Sequence, residues 1–252
     1  MKLFGKIKLI KIMFFLTALC LMLSSAVSFA NYRYLEDGNI TYGIYQSQPE
    51  KIHLHWKDEN GENYGFLTTL KKALKDTYQI KMLMNGGIYS KNNMPAGLWI
   101  ENGRQLNGLN TRRGVGNFHV QPNGVFAIVD NHPYILTTSA YQKAGLKPRI
   151  ALQSGPMLII NGVINRQFKP TLESFYKRNA VCLDKQNNVL FIMTIKGKPN
   201  LYNFSRGLLK IGCYHALYLD GNISDWYIPD LFSGLHWRRF VGMISVLEPY
   251  KK

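Results

Sequence analysis

The chain has 252 residues, of which 46% are hydrophobic and only 18% are charged, and its formal net charge is +16. A disordered chain needs few apolar residues and many charges, so this composition excludes that class and leaves room for a large core in one domain or two. The many aromatic residues and glycines favour a β-rich protein with tight turns.

The first thirty residues have the pattern of a signal peptide. Four lysines precede an apolar run, Ile12 to Leu23, which is too short to span a bilayer comfortably. Ser28 and Ala30 supply small residues for a cleavage site, so we expect cleavage near Ala30 and a periplasmic or secreted protein of residues 31–252 that forms a single domain. Loss of the four lysines lowers the net charge to +12. The alternative is an uncleaved N-terminal anchor.

Export changes what the cysteines imply. Cys20 would leave with the signal peptide, and the remaining pair, Cys182 and Cys213, could form a disulfide in an oxidising compartment or stay as two buried thiols. The sequence has no Cys-x-x-Cys and no His-Glu-x-x-His motif, so we predict neither a metal nor another cofactor. His53 and His55 alternate with apolar residues and are expected to face solvent rather than to bind a metal.

The positive charge does not by itself predict nucleic-acid binding, because the mature chain contains no dense run of lysine or arginine. For an exported protein we expect an anionic sugar phosphate or envelope glycan as partner, attracted over long range by charge. Membrane contact is expected only through the signal segment or through the same electrostatic attraction. A basic surface without a specific partner explains the charge equally well.

The first predicted elements are a strand, a helix and several hairpins. Alternation from Ile52 to Trp56 predicts a strand, and apolar residues at helical spacing from Leu67 to Tyr78 predict a helix. Asn-Gly pairs between apolar runs predict hairpins, since a type I′ turn needs positive φ at both central residues. Such pairs occur at Asn102-Gly103, Asn123-Gly124 and Asn161-Gly162.

The last third of the chain continues this pattern. A hairpin is predicted from Ala180 to Ile195, a helix from Asn200 to Ile211, and a short buried strand from Ala216 to Leu219. No linker divides the chain. The predicted fold class is therefore α+β, with a mixed, largely antiparallel β-sheet and flanking helices.

Three clusters combine polar side chains with a permissive backbone. They are Asn85-Gly86-Gly87 after an apolar strand, Ser154-Gly155-Pro156 before another, and Asp220-Gly221 with Ser224 after a buried strand. Glycines let backbone amides approach a ligand closely, and a carboxylate at the end of a strand is often functional. Each cluster alone is equally typical of an ordinary turn.

In this order, the three clusters resemble the phosphodiester glycosidase family. The resemblance covers about Tyr42 to Leu247, and within the family the chain is similar to a branch of short exported bacterial proteins. Further matching segments are Pro95-Ala96-Gly97-Leu98, Arg178-Asn179-Ala180, Leu201 to Gly212 and Ala216 to Gly221.

The resemblance implies hydrolysis of a sugar-1-phosphodiester at its glycosidic bond. Asp220 would act as a base for water or stabilise the oxocarbenium-like transition state, and Arg178 would hold the phosphate. The leaving group is a phosphate monoester with a second pKa of about 6, so it needs little protonation. The residues expected to bind substrate are Asn85, Gly86, Gly87, Ser154, Gly155, Gly221 and Ser224.

Departures from the family pattern concern the substrate more than the fold. Ile88-Tyr89 stands where two aromatic residues are more usual, Asn222 replaces a second glycine, and Asn179 replaces a threonine. Glu173 and Asp184 are candidates for a second carboxylate.

The alternative function is a non-catalytic binding protein for anionic glycans on the same scaffold. A phosphodiesterase attacking phosphorus ranks last, because no dense Asp/His set is present.

Overall fold

The computed structural model describes residues 31–90, 92–171, 173–229, 231 and 238–250. The predicted signal peptide lies outside the described residues, so its removal and the domain boundary at residue 31 stay predictions. From Tyr32 onward the chain forms one compact unit. Within the described ranges, no helix is both long and apolar enough to cross a membrane.

The described part of the chain contains sixteen strands and three α-helices. The strands are β1 (Tyr32–Asp37), β2 (Ile40–Ser47), β3 (Ile52–His55), β4 (Tyr78–Asn85), β5 (Trp99–Glu101), β6 (Arg104–Asn107), β7 (Gly124–Val129), β8 (His132–Thr137), β9 (Ile150–Ser154), β10 (Met157–Ile160), β11 (Val163–Ile164), β12 (Asn179–Asp184), β13 (Val189–Lys196), β14 (Cys213–Asp220), β15 (Trp226–Tyr227) and β16 (Met243–Pro249). The helices are α1 (Leu67–Leu74), α2 (Thr138–Ala144) and α3 (Leu201–Ile211).

The strands form three sheets. Their orders are β1-β2-β13-β12-β14-β10-β11, β15-β4-β16-β3 and β6-β5-β9-β7-β8. Every pairing between these described strands is antiparallel. This confirms the predicted α+β class with a largely antiparallel sheet arrangement.

One apolar core joins the three sheets. Met84, Leu152 and Leu219 come from different sheets and belong to the same buried cluster. Three smaller clusters lie on the outer faces, where α1 packs on β4, α2 on β7 and β8, and α3 on β14 and β10. Each helix thus buries its apolar face against one sheet, and the strand ends around the central core are brought close together.

The local patterns correctly predicted two Asn-Gly turns, the hairpin of β12 and β13, and helices α1 and α3. Helix α1 ends at Leu74, however, and Tyr78, which we expected at its end, begins β4. Asn102-Gly103 and Asn161-Gly162 have positive φ at both positions and connect β5 to β6 and β10 to β11. Helix α3 begins after Asn200, whose side chain accepts a hydrogen bond of 2.8 Å from the Asn203 amide. It ends at Gly212 with φ of 108°, a left-handed cap that favours glycine.

The hairpin predicted at Asn123-Gly124 is wrong. Asn123 is buried, and its side chain accepts a hydrogen bond from Thr138 Oγ1 and donates one to the Phe118 carbonyl. Gly124 instead begins β7, and the turn to β8 is formed by Asp130 and Asn131, which both have positive φ. The bond between Asn123 and Thr138 joins residues 15 positions apart, which a local turn pattern does not reveal.

The cysteine pair lies on neighbouring strands of the seven-stranded sheet. Cys182 of β12 and Cys213, the first residue of β14, are joined by a disulfide with their Cα atoms 5.7 Å apart. Of the two arrangements that the sequence left open, the structure has the bridge. It links β12 to β14. At the other end of this strand pair, Asn179 begins β12 and Asp220 ends β14.

Candidate functional site

The candidate site lies where the ends of strands from two sheets meet. Asp220 is the last residue of β14 and Asn85 the last of β4. The side-chain amide of Asn85 donates a hydrogen bond of 2.6 Å to Asp220 Oδ2. Asn179, opposite Asp220 in the β12–β14 register, donates to the Asn85 carbonyl at 3.0 Å and to its Oδ1 at 3.1 Å. Two sequence-predicted residues are thus brought together.

The carboxyl group of Asp220 is held from both sides. Its Oδ1 accepts a hydrogen bond of 2.6 Å from the Gly221 amide, in addition to the bond from Asn85 to Oδ2. Burial raises the pKa of Asp220 to about 6, although both hydrogen bonds and the charge of Arg238 favour the ionised form. A carboxyl group that changes protonation near neutral pH is suited to proton transfer.

An open cleft of about 320 Å³ adjoins this carboxyl group. It is lined by Ile88, Tyr89, Asp220, Asn222 and Ile223. Tyr89 is 38% exposed, and burial together with the nearby charge of Asp220 raises the pKa of its phenol. One acid beside an aromatic ring and apolar walls can bind a ring-shaped polar ligand and act on it chemically.

Asn85, Gly86 and Gly87 are held by contacts within the protein next to Asp220. Besides its bond to Asp220, Asn85 accepts a hydrogen bond of 2.9 Å from the Asp225 amide, and it is 1% exposed. The Gly86 amide donates to the Gly242 carbonyl at 3.1 Å. Gly87 has φ of +85°, which favours glycine. The structure places these residues to hold Asp220 rather than to line the cleft, where we expected them to contact substrate.

The other predicted binding residues are also enclosed. Ser224 closes the turn after β14, because its Oγ donates to the Gly221 carbonyl at 2.6 Å. Ser154 is fully buried, and its Oγ donates a hydrogen bond of 3.4 Å to the Leu219 carbonyl. A Cβ on Gly155 would lie 2.7 Å from Asn123 Cβ, so this glycine is required for packing. These residues shape the strand ends around Asp220 and are absent from the cleft lining.

Arg178, which we expected to hold the phosphate, is enclosed by the protein. Its side chain is 0% exposed, and Nε donates to the Pro199 carbonyl at 2.8 Å while Nη1 donates to the Tyr218 hydroxyl at 3.0 Å. Nη2 donates to the carbonyl and hydroxyl oxygens of Ser174. With its donors directed to protein acceptors, Arg178 stabilises the segment beside β14, and it is not among the residues that line the cleft.

Four residues near Asp220 were not among the predicted site residues. Asn179 is buried and supports Asn85, and Asp225 donates its amide to Asn85. Lys177 and Arg238 contribute positive charge beside the turn after β14. Asn179 had a sequence signal in its place within the Arg178-Asn179-Ala180 segment, and Asp225 directly follows the third polar cluster. Lys177 and Arg238 come close to Asp220 only through folding.

Neither of the two candidates for a second carboxylate, Asp184 and Glu173, lines the cleft. Asp184 Oδ1 accepts hydrogen bonds of 2.9 Å from the amides of Gln186 and Asn188, which places it in the β12–β13 turn. Glu173 is exposed and does not line the cleft. Among the described residues, no group of three or more His, Cys, Asp or Glu side chains is arranged to hold a metal ion.

A larger cleft of about 520 Å³ lies beside the disulfide. Its lining includes Lys185, Leu209 and Tyr214 but no carboxylate. The smaller cleft is the better candidate for catalysis because it contains an acid whose pKa burial has raised.

Comparisons with known proteins found a matching family model and a bacterial relative. A family model described as Phosphodiester glycosidase matches residues 78–228, a range that includes Asn85, Asn179 and Asp220. The protein YigE of Escherichia coli K12, itself described as uncharacterized, is 38% identical over 217 residues, which are 84% of this chain and 84% of YigE.

Two solved structures share the fold at low sequence identity. The zebrafish N-acetylglucosamine-1-phosphodiester alpha-N-acetylglucosaminidase catalytic domain, auto-inhibited by its pro-peptide, has a TM-score of 0.61 and 13% identity, covering 86% of this chain and 81% of that one. A Burkholderia pseudomallei protein with the provisional description of an exported protein has a TM-score of 0.53 and 10% identity, covering 83% and 74%. At such identities the similarity shows the fold alone.

Proposed function

Because the chain belongs to the phosphodiester glycosidase family, we propose that it is a hydrolase that cleaves the glycosidic bond of a sugar-1-phosphodiester. The observation that carries the proposal is the placement of Asp220. It is held by Asn85 and Gly221, has a pKa raised by burial to about 6, and opens onto a cleft with an aromatic wall. These features fit a carboxylate that acts on a sugar ring.

In the proposed reaction, Asp220 acts as the base. A water molecule attacks the anomeric carbon while Asp220 accepts its proton, and the bond from that carbon to the phosphate oxygen breaks. The bonding electron pair leaves with the phosphate, so the products are a free sugar and a phosphate monoester. Because that monoester has a second pKa of about 6, it can leave without a strong general acid.

The proposed substrate is an anionic sugar phosphate or envelope glycan outside the cytoplasm. The signal-peptide pattern with cleavage near Ala30 supports export, and so does the disulfide between Cys182 and Cys213, because disulfides persist in oxidising compartments. The positive net charge supports attraction of an anionic substrate.

Hydrolysis can be tested with the protein purified after export. It is incubated with 1-phosphodiesters of several sugars, and free reducing sugar is measured. We expect release by the wild type and a loss of roughly a hundredfold or more in Asp220→Asn, since a base is worth about 10²–10⁴-fold. Asp130→Asn makes the same charge change in an exposed turn and is the matched control.

Two outcomes would contradict the enzymatic proposal. Equal release by the wild type and Asp220→Asn would show that Asp220 is not the base. Binding of the phosphodiester without any release above Asp220→Asn, for every sugar tested, would favour the non-catalytic binding protein instead.

A further inference from the structure

Two cationic residues lie beside the turn that follows Asp220. Arg238 donates a hydrogen bond from Nη1 to the carbonyl of Asn222, a residue that lines the cleft with Asp220. The carbonyl oxygen of Lys177 lies 4.0 Å from the position that a Cβ on Gly221 would take. The Arg238 guanidinium and the Lys177 backbone therefore both border this turn.

The two positive charges are close enough to affect the groups around the cleft. Burial lowers the pKa of Lys177 and the charge of Arg238 lowers it further, while Asp225 opposes both. The charge of Arg238 also lowers the pKa of Asp220. Neither cation forms a salt bridge with another residue of the described part of the chain. Like charges grouped beside a cleft favour the binding of an anion.

The chemistry of the two groups fits a phosphate. Arg238 is exposed, and its planar guanidinium can bind two phosphate oxygens at once, whereas Lys177 supplies a point charge. In the described part of the chain, Arg238 uses one N–H donor on Asn222. Arg178, which the sequence suggested for this task, is enclosed by protein acceptors.

We propose that Lys177 and Arg238 form the subsite that binds the phosphate of the substrate, next to Asp220. This inference rests on the proposed function for its role in catalysis. As the glycosidic bond breaks, the phosphate changes from a monoanion to a dianion, so both cations bind it more strongly at the transition state than in the ground state. Their loss should therefore reduce kcat and not only raise KM.

The test combines hydrolysis with binding of methyl phosphate, a simple phosphate monoester. Arg238→Ala and Lys177→Ala should each lower kcat for the phosphodiester roughly 10- to 100-fold and weaken methyl phosphate binding, and Arg238→Lys should restore part of both. Arg239→Ala is the matched control, because Arg239 is also exposed but lies beside Gly65, with Nε 3.7 Å from the position of a Cβ on that glycine. It should behave as the wild type.

The binding measurement separates this inference from the proposed function. If Arg238→Ala binds methyl phosphate and hydrolyses the phosphodiester as Arg239→Ala does, the subsite is refuted. If the wild type hydrolyses nothing but Arg238→Ala and Lys177→Ala still bind methyl phosphate more weakly, the subsite stands and the hydrolase proposal fails. If the wild type binds methyl phosphate no more tightly than Arg238→Ala and Lys177→Ala do, the subsite is refuted whether or not the protein is active.

Discussion

Asn85 donates a hydrogen bond of 2.6 Å to the carboxylate of Asp220 although 135 residues separate them in sequence. The bond joins the end of β4 in one sheet to the end of β14 in another. It favours the ionised form of Asp220, whereas burial favours the neutral form, and the balance leaves the pKa at about 6. Together with the Gly221 amide and the charge of Arg238, this bond thus offsets part of the effect of burial on the proposed base.

Replacing Asn85 with alanine should raise the pKa of Asp220. The carboxylate loses a hydrogen bond that stabilises its charge, worth about 1.5–3 kcal/mol. Since the base must be ionised, activity falls as the pH decreases through its pKa, and this fall should move to higher pH in Asn85→Ala. We expect kcat/KM at pH 6 to drop roughly tenfold or more.

The pKa itself can be followed by NMR titration of the Asp220 carboxyl carbon, which needs no activity. Asn60→Ala changes an exposed turn residue and serves as the control. An unchanged Asp220 titration in folded Asn85→Ala would show that this hydrogen bond does not set the pKa.

Asn179→Leu should reduce activity more than stability. Asn179 donates two hydrogen bonds to Asn85, but its own buried Oδ1 has no partner among the described residues. An unpaired buried acceptor costs about 1–3 kcal/mol, so its removal offsets the loss of the two bonds. Asn85 then loses its support, and we expect kcat to fall roughly tenfold.

Denaturant unfolding and kinetics on the same preparation test this expectation. A variant with wild-type kcat would show that Asn85 stays in place without Asn179. A large loss of stability, with the decrease in kcat explained by unfolded protein, would contradict the positioning role.

Removing the disulfide should destabilise the fold without altering the cleft directly. Cys182 and Cys213 are 31 positions apart, and closing such a loop is worth roughly 3–4 kcal/mol in the chain-entropy model. The double variant Cys182→Ser/Cys213→Ser should lose about this amount in urea unfolding, and wild type in reductant should lose a similar amount. Identical stability of wild type with and without reductant would exclude a stabilising bridge.

The protein should lose stability in acid partly through two histidines on the four-stranded sheet. Burial lowers the pKa of His55 to about 3, and the neighbouring charge of His53 adds to this decrease. Burial likewise lowers the pKa of His53 to about 4, and the charge of Arg149 adds to it. Below the unfolded value of about 6.5 the unfolded chain binds protons that the native state does not. Stability should therefore decrease as the pH falls from 6.5 toward 3–4.

For His55 alone, the loss on going from pH 7 to pH 5 is about 2 kcal/mol. His55→Gln should show a smaller decrease over this range, and His132→Gln, which changes an exposed histidine, should decrease as the wild type does. A decrease in His55→Gln equal to that of the wild type would contradict the assignment.

The local elements were predictable because their causes are local. Helix α3 has its cap at Asn200, its apolar face and its terminal Gly212 in one continuous segment, and Asn161-Gly162 needs only positive φ to turn. Helix α2 was not predicted, since its cap is a hydrogen bond from the Ala140 amide to Thr137 in a short polar segment. The histidines of β3, expected to face solvent, are half-buried because Tyr78 and Tyr64 lie beside them.

The sequence by itself determined the fold class, the family and the order of the polar clusters that end the strands, because these depend on residue type and spacing. Only the tertiary structure decided which side chains face the cleft. Asp220 reaches it, whereas Asn85 and Arg178 are turned to protein partners. The reason is physical: burial and hydrogen bonding depend on the register of strands from separate sheets, which no local pattern specifies.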